Sequence, residues 1–290
     1  MNRLQPPISE KENQHYTPRF WLRGFSGRGG RIEGSIDGVH AHQLSTDDIM
    51  ADHWIYTVFD GWWRPSDEIE DDLALIDGKA SNLFKRLHRD RKVPSLADRD
   101  QLGDFLALTA CRNVEAMARS HARSKELALA IADADAHASE ADYLRAIERD
   151  FRVTLEAGLW RRVRAMGRDA AFAEAEEIVD LRPYDPSLPT NLASLCATLD
   201  VGRAVKGLDV TLLDAPFGHG YVLGDCPVPV VDIGRGFDVP LSKGLALRAM
   251  PPATAGRQAW ARRTATAREV TDINDGQRAR ARSVVIWPAL

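Results

Sequence analysis

The chain has 290 residues and a formal net charge of −4, so it can bury a sizeable core without external staples, and a surface that is basic throughout, built to wrap nucleic acid, is excluded. Three scattered cysteines, Cys111, Cys196 and Cys226, lack CxxC spacing, which argues against a disulfide framework or zinc knuckle and for a reducing, cytoplasmic setting. The polar, proline-containing stretch 1–14 lacks the apolar core of a signal peptide, and no apolar run reaches membrane-spanning length, so neither secretion nor membrane insertion is expected.

Residues 1–14 read as a flexible tail. From His15 to Asp60, aromatic and β-branched residues alternate with glycines, as in Phe20-Trp21-Leu22, 24–34 and His53-Trp54-Ile55-Tyr56, which predicts short strands and tight loops. After Pro65 the period changes. Ile69, Leu73, Ile76, Ala80, Leu83 and Leu87 recur at steps of three and four, with acids at the front and bases at the back, so a helix is expected.

Ser95 followed by Asp98 marks a second helix start, with Leu102, Phe105, Leu108 and Thr109 on its inner face and an end near Ala132. A third helix is predicted from Ser139, carrying Leu144, Ile147, Phe151, Leu155 and Leu159, and weaker patterns follow at 169–180 and 192–205. Beyond Asp209, short apolar runs alternate with Gly and Pro: Val210 to Leu213, Tyr221 to Leu223, Val228 to Val231 and Leu245 to Leu247. A helix over 267–282 and a strand over 283–287 close the chain. The expectation is a single α+β domain over 15–290. Its β-rich ends (15–64 and 208–290) form a small mixed sheet packed on a helical layer (65–207).

Several polar residues stand where a plain fold has little use for them. Arg112 lies on the apolar stripe of the second helix, where a guanidinium needs an anion: either a buried carboxylate, for which Asp225 is the natural candidate, or a substrate phosphate. Asp225, in Gly224-Asp225-Cys226-Pro227, follows an apolar run and reads either as a strand-end residue facing a cleft or as a turn aspartate. His15 precedes Tyr16 and the stiffening Pro18. Asn274 sits at the apolar edge of the last helix, free either to orient a ligand or to cap a loop. Cys226 lacks the cationic setting of a nucleophile. No HExxH, paired CxxC, EF-hand, GxGxxG or Walker pattern is present, so neither a metal nor a cofactor is expected. Basic clusters at 85–92, 161–168 and 257–268 are either solvated helix ends or phosphate contacts, and the Trp54, Tyr56, Trp62 and Trp63 group either stacks a base or belongs to the core.

The run His15-Tyr16-Thr17-Pro18-Arg19-Phe20-Trp21-Leu22-Arg23-Gly24-Phe25 resembles the opening of an uncharacterised bacterial family, the domain of unknown function DUF4238, whose start is His-Tyr-x-Pro-x-Phe/Tyr-x-Leu-x-x-Phe. Phe105 with Arg112 matches its helical pattern, Pro240-Leu241-Ser242 its Pro-Leu-Ser, and Asn274 its late asparagine. Gly224-Asp225-Cys226-Pro227 matches its Ser-Asp-x-Pro, with Gly224 in place of serine. The resemblance implies no known reaction. It does pick out the residues that patterning singles out, so His15, Arg112, Asp225 and Asn274 are expected to meet in one polar cleft.

The function expected from such a cleft is metal-independent hydrolysis on nucleic acid, with base excision ahead of backbone cleavage and a role in phage defence compatible with it. Asp225 and His15 would be catalytic; Arg112, Asn274, Tyr16 and Ser242 would bind substrate, and DNA would approach over the basic patches. The alternative is a non-catalytic binding or scaffold protein in which His15, Arg112 and Asp225 form a buried polar network. Sealed and fully paired residues would favour the second; an open basic pocket would favour the first.

Overall fold

The computed structural model describes residues 13–27, 31–36, 38, 40–53, 55–59, 65–178, 194–195, 197–253 and 259–287. Most of the 1–14 tail, Trp54, Trp62, Trp63, Cys196 and Arg257 lie outside them. The chain divides into two compact units, one assembled from both ends (Met1–Ala116 with Ser194–Leu290) and one from the middle (Met117–Ala193). The class is α+β, with helices in the middle of the chain and strands toward both ends. The helices expected as one layer are shared between the units. Among the described residues no helix is long and apolar enough to cross a membrane.

In the first unit, one four-stranded sheet has the order β11 (Trp260–Thr264), β7 (Asp209–Asp214), β10 (Leu245–Met250), β9 (Phe237–Ser242). β11 runs parallel to β7 and the other pairs are antiparallel. The inner strands β7 and β10 bury Leu212, Leu213, Leu245, Ala246 and Leu247. Patterning does not reveal β9 and β11: β11 carries two arginines, and β9 contains Pro240, a residue that an edge strand tolerates because its missing N–H faces no partner. A second, antiparallel sheet joins the two ends of the chain in the order β3 (His42–Leu44), β2 (Ile32–Ser35), β12 (Val285–Trp287), β8 (Leu223–Gly224). Val228 to Val231, expected as a strand, forms none. Pro227 and Pro229 remove the ladder donors it would need.

Two small pairings, β1 (Asn13–His15) with β4 (Ala51–His53) and β5 (Val58–Phe59) with β6 (Pro65–Ser66), complete the strands. Phe20-Trp21-Leu22, expected in a strand, lies in the short helix α1 (Arg19–Arg23). Pro18 explains the difference: its fixed φ suits a helix start, and its carbonyl accepts from Trp21 N and Leu22 N.

Helix α2 (Glu68–Asp90) opens on Glu68, Glu70 and Asp71, closes on His88 and Arg89, and buries Leu73, Ala80, Leu83, Phe84 and Leu87, as its periodicity and charge order require. Ser95 caps α3 (Leu96–Arg112) by accepting from Asp98 N. α3 does not run on to Ala132. Asn113, with extended ψ, ends it, donates to Ala110 O and Val228 O, and accepts from Ala116 N, so it caps both α3 and the following α4 (Val114–Ala132).

The second unit takes most of α4 together with α5 (Glu140–Phe151), α6 (Leu159–Arg164) and α7 (Arg168–Ile178) around Ala128, Ile131, Tyr143, Ile147, Leu159, Val163, Ala171 and Ala175. The helix expected from Ser139 through Leu159 is two helices, because Arg152 turns left-handed after Phe151 and Gly158, at φ 92°, starts α6. Back in the first unit, α8 (Thr198–Lys206) packs along α3, and α9 (Ala267–Arg280) begins with a Thr266–Glu269 capping box.

Candidate functional site

The opening motif builds a plug in the core of the first unit. β1 brings His15 opposite Ala51, and the chain then turns as Tyr16 N and Thr17 N both donate to Met50 O. α1 carries Phe20 and Trp21 into an aromatic cluster with Phe84 and Phe105, ring centroids 5.3 to 5.8 Å apart, within the range of favourable edge-to-face packing. Trp21 Nε1 donates to Pro240 O at 2.9 Å, which ties the opening motif to Pro240-Leu241-Ser242. Ser242 in turn accepts from Gly244 N at 3.2 Å in the β9–β10 turn. His15, half-buried, donates from Nε2 to Thr46 O at 3.1 Å. Burial lowers its pKa, with Arg19 acting in the same sense and the Thr46 carbonyl, Asp47 and Asp48 opposing.

Arg112 is fully buried at the end of α3. Its partner is Asp77 on α2, not Asp225 as expected: Nη2 donates to Oδ1 at 2.7 Å and Nη1 to Oδ2 at 3.2 Å, a bidentate fork. Burial works against the Arg112 charge, but Asp77 outweighs it and the pKa is raised. Tyr56 OH donates to Arg112 O at 3.1 Å, and Gln14, buried beside it, accepts from Tyr56 N and donates to Thr57 Oγ1. Tyr16 lies within electrostatic reach of Tyr56 on one side and of Asp225 and Cys226 on the other. Arg112 Nε and Thr17 Oγ1 are buried and have no hydrogen-bond partner among the described residues. Burial, reinforced by Asp225, raises the Tyr16 pKa.

Asp225, 1% exposed, is spent on the backbone. Oδ1 accepts from Arg282 N at 2.8 Å, and Oδ2 from Ser283 N at 2.9 Å and Val284 N at 3.1 Å, while Asp225 N donates back to Val284 O at 3.0 Å. The carboxylate thus sets how the chain leaves α9 and enters β12 beside β8. Gln277, fully buried and not singled out by sequence, works from α9 on the same segment: Oε1 accepts from Gly224 N, and Nε2 donates to Pro227 O and Asp238 O. The glycine that departs from the family's serine has its reason here, since a Cβ on Gly224 would lie 2.9 Å from Gln277 O and 3.1 Å from Ala281 Cβ. Asn274 is also engaged at both ends of its amide, accepting from Val222 N and donating to Gly220 O, each at 2.9 Å.

The expected single cleft is therefore several separate fastenings. Arg112 is fixed by Asp77, Asp225 holds 282–284, Asn274 holds 220–222, Ser242 holds a turn, and His15 faces 46–48. Burial, with Asp225 next in weight, pushes the Cys226 thiol up to about 12, far from a reactive thiolate. Among the described residues no group of three or more His, Cys, Asp or Glu could hold a metal ion.

Many arginines of the basic clusters are paired with carboxylates. Arg86 pairs with Asp98 and Arg89 with Asp90, Arg161 with Glu140, Arg162 with Glu156 and Glu174, and Arg164 with Asp135. Arg262 pairs with Asp214, Arg263 with Glu269 and Arg268 with Asp272. Asp77, Gln14, Asn113 and Gln277 went unnoticed in the sequence. Two of them carried a usable signal: Asn113 follows Arg112 on an otherwise apolar stripe, and Gln277 stands four residues after Ile273.

Fold and fastenings define an α+β protein whose motif residues bind backbone more than they face solvent. The chain belongs to the family described as protein of unknown function (DUF4238), whose model matches residues 13–287. Comparison with curated proteins and with solved structures gives no match.

Proposed function

We propose that the chain is a non-catalytic binding protein, and that His15, Arg112, Asp225 and Asn274 build its frame instead of a reaction centre. The observation that carries this is the Asp225 carboxylate. A general base must present a lone pair to water or substrate. Asp225 is sealed and already accepts three backbone N–H groups. The other motif residues follow suit: Arg112 is consumed by Asp77 and Asn274 by the 220–222 backbone.

A second function, hydrolysis on DNA by base excision or backbone cleavage, draws on one atom, the buried Arg112 Nε, which has no hydrogen-bond partner among the described residues and would suit a small anion. One experiment separates the two. Purified protein is incubated with plain and base-modified DNA, with and without chelator, and strand breaks are read before and after alkali. The frame predicts none in any lane, and an Asp225→Asn variant that is less stable. Alkali-revealed breaks that persist with chelator and vanish in a folded Asp225→Asn variant would establish base excision and sink the non-catalytic proposal; chelator-sensitive direct breaks would sink it in favour of a nuclease.

A further inference from the structure

Helix α2 turns outward a face that its own packing does not use. Leu75 and Ile76 are 65% and 37% exposed, and three residues after Leu75 stands Gly78, exposed and helical in the middle of this 23-residue helix. Glycine is the poorest residue for a helix interior after proline. No positive φ requires it at 78, and a Cβ added there would meet nothing within 4 Å. The fold of the chain has room for alanine at this position; a body that approaches closely from outside would not.

Charge on the same face is ordered. Glu68 and Asp72 precede Leu75 and Gly78, and Lys79 and Lys85 follow Leu75, at spacings of three, four and seven that keep all six on one side of the helix. All six are exposed, and none of the four charged side chains has an ion pair or hydrogen bond among the described residues. Asp71 and Arg89 lie on this side too, but each is already engaged. The order suits the helix dipole, and it also makes the face complementary to itself read backwards. An antiparallel copy sets acids against bases, whereas a parallel copy would set acid on acid.

We propose that α2 is the contact between two copies of this chain, packed antiparallel about a two-fold axis that crosses the helix between Ile76 and Asp77. In that register Leu75 of each copy lies over Gly78 of the other, in the notch that the missing Cβ leaves, and Glu68 lies opposite Lys85. Asp72 then stands within two residues of Lys79, about 3 Å along the axis. Shape and charge thus select one register independently. A second copy is the occupant that fits, because knob and notch, and both signs of charge, are carried by the one helix. The inference goes beyond the binding-protein function and does not depend on it.

The test is sedimentation equilibrium of the full chain over a range of concentrations, for the parent, Leu75→Glu, Gly78→Leu, Lys85→Glu and the double reversal Glu68→Lys with Lys85→Glu, with circular dichroism to check folding. All these positions face outward, and Gly78→Leu should hold its helix at least as well as the parent. The expected result is a closed dimer whose dissociation constant rises at least roughly 100-fold in Leu75→Glu, because each leucine burial is lost twice. Gly78→Leu should lose the dimer although its helix is the stronger. Lys85→Glu should weaken it roughly 2- to 30-fold, two surface pairs being lost, and the double reversal should return it toward the parent. A monomer at every concentration, a larger or open-ended assembly, a dimer that Leu75→Glu and Gly78→Leu leave intact, or a double reversal no better than Lys85→Glu would each overturn the proposal. The DNA incubation reads the non-catalytic function separately, and neither result decides the other.

Discussion

Replacing Asp225 with asparagine is the sharpest probe of the frame, because it changes one atom and little volume. The carboxylate makes three bonds of 2.8, 2.9 and 3.1 Å to consecutive N–H groups. The amide oxygen is best placed where Oδ2 stands, keeping two of them without the charge. Its NH2 then meets Arg282 N–H, donor against donor. One charge-assisted bond is lost, about 1.5–3 kcal/mol, and a buried donor is stranded, about 1–3 kcal/mol; relief from burying a charge offsets part of this. A net loss of about 2–4 kcal/mol is expected. Urea unfolding followed by far-UV circular dichroism gives the loss, and hydrogen exchange of the Val284, Val285 and Leu223 amides shows where it opens. Asp272→Asn, on an exposed helix face, is the control. A variant within about 0.5 kcal/mol of the parent, the size of an ordinary surface change, would refute the assignment of Asp225 to the frame.

Other outcomes follow from the same contacts. Gly224→Ser, which restores the family residue, should cost about 1–3 kcal/mol by forcing a side chain against the α9 backbone, read as a lower urea midpoint; an unchanged midpoint would mean that α9 can shift. Arg112→Lys should lose about 2–4 kcal/mol, since an ammonium cannot reproduce the fork to Asp77, and a cycle with Asp77→Asn should show strong coupling instead of additivity. Cys111 and Cys226, whose pKa values burial raises, should resist alkylation in the native protein and react on unfolding, as peptide mapping would show. Burial depresses the folded-state pKa of His15, and of His88, below the ordinary 6.5. Below pH 6.5 the unfolded chain therefore takes up protons that the folded chain refuses, so this part of the stability is whole above 6.5 and drains as pH falls toward the lowered folded values. His15→Gln should flatten that slope in urea titrations across pH.

The fold was legible where a period ran long enough to count. α2, with its acidic front and basic back, and the start of α3 at Ser95 are local events written in local residues. The helix break at Asn113 was not legible, because it depends on a partner elsewhere: Asn113 stops α3 by bonding Val228, a residue 115 positions away. The break at Arg152 is a left-handed residue of a type that carries no turn signal. β9 and β11 were missed for a related cause. Their membership in the sheet is set by the neighbouring β10 and β7, whereas their own composition includes a proline and two arginines. At the candidate site, patterning found the anomalous residues but not their partners. Arg112 demanded an anion, and nothing in the sequence favoured Asp77, exposed-looking on an acidic helix, over Asp225.

The placement of these residues suggests why a frame would need them. The second sheet is closed by β12, which arrives from the far end of the chain between β2 and the two-residue β8. Strands this short carry few ladder bonds, and a slip by one residue would exchange their buried and exposed faces. Apolar packing alone tolerates such slips poorly but does not name the register. Asp225 does, because its three acceptor contacts fit one setting of 282–284 only, and Gln277 and Asn274 extend the same control to Gly224, Val222 and Gly220. Side-chain amides and a carboxylate bonded to backbone thus supply the specificity that short strands lack, at the cost of burying polar groups. A residue chosen for that duty has to be polar, sealed and intolerant of change, and in a bare sequence this combination looks the same as a catalytic residue.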